Sequence, residues 1–81
     1  MAQVIAELSH PATSRTARVT DYTNDPTFGR GDSQEGYTAV HDLKHFIVST
    51  GDPFEMKYYR TKLQALVHAA AYVAGGELAD S

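Results

Sequence analysis

No cysteine occurs in the 81 residues of this chain, so neither a disulfide framework nor a thiolate metal site reinforces the fold, and packing alone must hold it. No apolar run approaches the roughly 20 residues a membrane-spanning helix requires. The start, Met1-Ala2-Gln3-Val4-Ile5-Ala6-Glu7, meets a charge too early for a secretory leader. A large excess of one charge is also missing: seven Lys and Arg stand against ten Asp and Glu, a net −3. That balance argues against a dedicated nucleic-acid binder and is too mild for a carboxylate array mimicking nucleic acid. Together these absences predict a soluble, cytoplasmic protein with no membrane contact.

What is present is the composition of a folded globule, 42% hydrophobic and 21% charged. Residues 1–81 make a single small domain whose core leaves a margin of only a few kcal/mol. Domains of this kind gain stability from a partner or a second copy.

The spacing predicts an α+β fold: an N-terminal β-hairpin, a long loop, then an antiparallel helical hairpin ending in a long amphipathic helix. Val4–Leu8 and Thr16–Tyr22 read as strands, with Pro11 in the turn between them. Residues 23–36 hold three of the six glycines and read as a flexible loop. Thr38 caps a first helix to Thr50, with Ala39, Val40, Leu43, Phe46 and Ile47 on one face. Asp52-Pro53-Phe54-Glu55 then reads as the start of the long helix: a cap, a proline at the first position and a capping-box acid. Gly75-Gly76 ends it, and residues 77–81 form a disordered tail. The alternative takes the β-prone run after His45 at face value and places strands at 44–50 and 54–60, with one helix starting near Thr61.

His41-Asp42-Leu43-Lys44-His45 puts two histidines four apart, a helical spacing at which they share one metal ion. Over these five residues the chain resembles the zinc-peptidase signature H-E-x-x-H, with aspartate in the place of glutamate. A shorter acid stands farther from a metal-bound water. Val48 and Gly51 also stand where a metzincin continuation has Gly and His. A third ligand would have to come from Glu55 or His68. The helical projection instead makes His41 and His45 solvated polar residues, so the metal-dependent hydrolase is the lesser alternative.

Lys57, Arg60 and Lys62 interleave with Tyr58 and Tyr59, as a phosphate-tracking surface would, with Lys44 as a further candidate. They define the nucleic-acid-binding alternative. Arg30-Gly31-Asp32 matches an adhesion tripeptide, but nothing else in the chain points to an extracellular protein. No Gly-Lys-Ser or Gly-Lys-Thr follows Gly29, Gly31 or Gly36, and neither Ser33 nor Ser49 sits in a nucleophile motif. No catalytic residue is assigned and no cofactor is expected.

Projected at about 100° per residue, the long helix places its main apolar face around Leu63, with Met56, Tyr59, Leu66, Val67 and Ala70 beside it. A second stripe, Phe54, Tyr58, Ala65, Ala69 and Tyr72, lies on the far side. Either the helix is sandwiched and both stripes are core, or the second stripe is exposed and docks a partner. The function expected on this second reading is protein binding through those five residues, with a twofold homodimer as the commonest arrangement. In size and composition the chain looks like the small adaptor and inhibitor proteins of bacteria and phages, a likeness that covers no motif.

Overall fold

A computed structural model describes residues 2–23, 43–51 and 54–78. Among the described residues, four strands, β1 (Gln3–His10), β2 (Arg15–Asp21), β3 (Phe46–Thr50) and β4 (Met56–Tyr59), precede one helix, α1 (Lys62–Val73). Every strand pairs antiparallel with its sequence neighbour, giving the order β1-β2-β3-β4.

The β1–β2 hairpin forms where Pro11 breaks the run. Residues 11–14 turn the chain, with Ser14 N–H donating to the His10 carbonyl at 2.9 Å. Ser14 takes a φ of 59° there, a left-handed conformation that a non-glycine residue adopts at a cost. On the other side of the hairpin the register shifts between Val4 and Ala6. The bulge takes Val4 off the face Ala6 occupies and turns Ile5 toward it, so Ile5, Ala6 and Leu8 all pack against the core.

The helical hairpin is not formed. Phe46-Ile47-Val48-Ser49-Thr50 is a strand, because β-branched residues pack well on a pleated surface and lose rotamer freedom in a helix. Residues 38–42 of the expected first helix lie outside the described residues. The segment read as the second helix start instead connects β3 to β4: Thr50 N–H donates to the Glu55 carbonyl at 3.0 Å, and Glu55 N–H donates to Thr50 Oγ1 at 2.8 Å. Asp52 and Pro53 lie outside the described residues. The architecture is that of the alternative reading, two strands followed by a single helix.

The helix begins where Thr61, in extended conformation, accepts a hydrogen bond from Gln64 N–H at 3.1 Å. Its end is a Schellman motif: Gly76 N–H donates to the Ala71 carbonyl at 2.9 Å and Gly75 N–H to the Tyr72 carbonyl at 3.0 Å, with Gly75 at a φ of 114°. The β1–β2 turn then grips that end. Thr13 Oγ1 donates to the Val73 carbonyl at 2.5 Å, and Arg15 donates to the carbonyls of Tyr72 and Gly76 at 3.0 and 2.6 Å.

One face of the sheet and one face of α1 make the core: Ala17, Val19, Val48 and Tyr59 against Ala65, Ala69, Tyr72 and Val73, with Leu78 closing it. Leu78 belongs to the segment read as a disordered tail, yet it is only 6% exposed. Its apolar side chain is removed from water as part of the core cluster. Residues 79–81, and residues 24–36 of the expected loop, lie outside the described residues.

Candidate interaction surface

The identity of the buried helix face decides which side chains are offered to a partner. Ala65 and Ala69 are 0% exposed and Tyr72 and Val73 nearly so, which makes theirs the inward face of α1. Two alanines four apart let the helix backbone lie close on the sheet, and Tyr72 fills the space at its C-terminal end. His68, on one flank, stacks on the buried Tyr59 ring of β4, with centroids 4.7 Å apart and planes inclined by 14°. Leu66, on the opposite flank, is half-buried against the core.

The outward face is therefore the one expected to be core. Leu63 is 71% and Val67 55% exposed, and Ala70, Ala71 and Ala74 are exposed beside them. No Asp, Glu, Lys or Arg occurs between Lys62 and Glu77. A helix packed on a sheet normally turns its polar stripe to water. Here the solvent side is leucine, valine and alanine, with Gln64 at its border. Covering Leu63 and Val67 would return about 1–2 kcal/mol each.

No protein-family model, curated protein or solved structure matches this chain. The side chains and their placement therefore carry the functional argument alone.

The five residues expected to form a contact surface do not lie together. Phe54, 69% exposed, sits in the β3–β4 connection. Tyr58 is in β4, opposite Ile47 in register and so on the sheet face away from α1. Ala65, Ala69 and Tyr72 are core. The stripe came apart because α1 starts after Thr61, which removes Phe54 and Tyr58 from the helix. Sequence reasoning missed the outward role of Leu63 and Val67 by ranking leucine above alanine as a core residue. The Ala65/Ala69 pair was the signal of a close-packed face.

His41 lies outside the described residues. His45 is not helical: its carbonyl accepts from Tyr22 N–H at 2.8 Å, continuing the β2–β3 ladder, and Leu43 has a φ of 60°. The helical conformation behind the zinc reading is therefore not present at residues 43–45. Its third-ligand candidates also separate, Glu55 to the β3–β4 connection and His68 to the stack on Tyr59. Among the described residues, no three His, Cys, Asp or Glu side chains converge on a metal position.

Lys57, opposite Val48, is half-buried on the α1 side of β4, while Arg60 and Lys62 are exposed on either side of the Thr61 cap. Lys44 is half-buried just before β3. On the sheet face away from α1, the Arg18 and Glu7 side chains pair at 3.0 Å across β1 and β2. They border a shallow trough of about 630 Å³ that also takes in Ser9, Thr16, Ser49 and Phe54. No described helix is long and apolar enough to cross a membrane.

Proposed function

We propose that this protein is a small protein-interaction module of adaptor or inhibitor type, docking through the outward face of α1. The observation that carries the reading is the absence of charge on a solvent-facing helix surface made of Leu63, Val67, Ala70, Ala71 and Ala74. Such a surface gains most when another protein covers it. Leu63 and Val67 are its anchors. The alanines allow the close approach that lets weak apolar contacts accumulate. The same reading places the protein in the cytoplasm, where a chain held by packing without disulfides is unaffected by reducing conditions.

The test is affinity capture from the native host with wild type and a Leu63→Lys, Val67→Lys double variant, whose fold is checked by circular dichroism. A protein held by wild type and lost by the variant, a second copy included, supports the reading. Identical capture by both removes it.

A further inference from the structure

We infer that the outward face of α1 takes a second copy of this chain, its α1 running antiparallel to the first about a twofold axis. The inference rests on the interaction-module reading and names the partner.

Two features of the helix point to a second copy, and a third sets how tightly it is held. The first is the distribution of bulk. Leu63 and Val67 occupy the N-terminal half of the outward face, and Ala70, Ala71 and Ala74 the C-terminal half. An antiparallel pair sets Leu63 of one copy over Ala74 of the other and Val67 over Ala70, each large side chain on a small one. A parallel pair would stack bulk on bulk and leave the alanines facing a gap.

The second feature is charge. Helices favour acids at their N-terminal end and bases at their C-terminal end; α1 has no acid in its first turn and no base in its last. Exposed Arg60 and Lys62 flank its start, and exposed Glu77 follows its end. An antiparallel partner brings its own Glu77 alongside Arg60 and Lys62. It supplies the acid that the helix start lacks, while the helix end already carries Arg15 of its own chain. Between those ends the face is uncharged, so no like charges meet at the axis.

The third feature is area, which sets the strength. Twelve helical residues span about 18 Å, and a face about 10 Å wide covers on the order of 200 Å² per copy. A standard stable interface takes about 800 Å² per partner. The dimer is accordingly a weak one, populated only at high protein concentration.

The absence of native cysteine gives a clean test. Leu63→Cys and Ala74→Cys are made separately, and their folding is verified. Each is then oxidised alone and in an equimolar mixture at high concentration, while light scattering follows mass against concentration. The expected result is a mass rising toward that of a dimer and a disulfide joining Leu63→Cys to Ala74→Cys in the mixture. Neither variant links to itself, because in this pairing two copies of residue 63 stand about 16 Å apart along the axis, beyond disulfide reach. A monomer at millimolar concentration overturns the proposal, as does self-linking by Leu63→Cys or a dimer whose mixture does not cross-link. A monomer that still loses a host protein on Leu63→Lys, Val67→Lys substitution would leave the interaction-module reading standing and remove only the second copy.

Discussion

Arg15 holds Tyr72 in two ways: its guanidinium donates to the Tyr72 carbonyl at 3.0 Å and lies 4.8 Å from the centroid of the Tyr72 ring. One side chain from the start of β2 thus neutralises the end of α1 and covers the aromatic that closes the core. Its further bond to the Gly76 carbonyl, at 2.6 Å, extends the grip beyond the helix. Cations suit this position because the last helical carbonyls point outward with no partner in the helix.

Arg15→Ala is expected to cost about 2 kcal/mol, the sum of charged hydrogen bonds and a cation–π contact. Arg15→Lys should recover less than half of that, because an ammonium cannot reach two carbonyls and lie flat on a ring as guanidinium does. Urea denaturation of the three proteins measures the order; equal stability for lysine and arginine would contradict it.

Thr61→Ala removes the hydroxyl that accepts Gln64 N–H and is expected to cost about 1 kcal/mol. Thr61→Asp should hold or raise stability, since it caps as well and adds the negative charge the first turn lacks. Thermal unfolding by circular dichroism decides between them, with the alanine variant the lowest of the three.

The two faces of α1 should respond oppositely to a change of bulk. Ala69 is 0% exposed, and Ala69→Leu is expected to cost about 1–3 kcal/mol by overpacking. Val67→Ala, on the outward face, should change the stability of dilute protein by less than about 0.5 kcal/mol. Chemical denaturation at low protein concentration tests the pair; the reverse order would mean that the opposite helix face is buried.

Acid should weaken the β2–β3 end of the sheet through Asp21. The Thr23 hydroxyl and Thr23 N–H donate to its carboxylate at 2.5 and 2.8 Å and hold its pKa below the ordinary 3.8, with nearby His45 adding to the effect and burial opposing it. A depressed carboxyl pKa stabilises the fold fully above the unfolded value, and that stabilisation is lost as pH falls through the folded value. The advantage of wild type over Asp21→Asn should therefore be constant from neutral pH down to about 5 and shrink below pH 4. Denaturation midpoints across that range check it; an advantage that grew on acidification would reverse the sign.

The N-terminal hairpin and the end of the C-terminal helix were legible for local reasons. Pro11 interrupts β1 and β2, and Gly75 with Gly76 stops the helix whatever lies around it, whereas the helix start was misread because Asp52-Pro53-Phe54-Glu55 offers a capping pattern ahead of Thr61. The middle was less legible because Phe46–Thr50 satisfies two patterns, five residues of alternation and the tail of a helical period. Only pairing with β2 and β4 selects the strand, and that pairing is invisible from the run itself. The bulge at Ile5 had no signal either, since its effect is to break the alternation by which a strand is read.

The candidate site depended on one such undecided choice. Both sides of α1 are apolar, and hydropathy ranks Leu63 and Val67 above Ala65 and Ala69 as core residues. The sheet ranks them the other way, because alanines let the helix approach closely enough for Tyr59, Val19 and Val48 to be sealed beneath it. Local sequence chemistry determined where the helix stops and that it carries no charge between Lys62 and Glu77, while its start at Thr61 and not Asp52 was settled by the pairing of β3 with β4. Which face of it meets water was decided only by tertiary packing, since the shape of the surface it lies on, and not the hydropathy of its side chains, sets which residues fit beneath it.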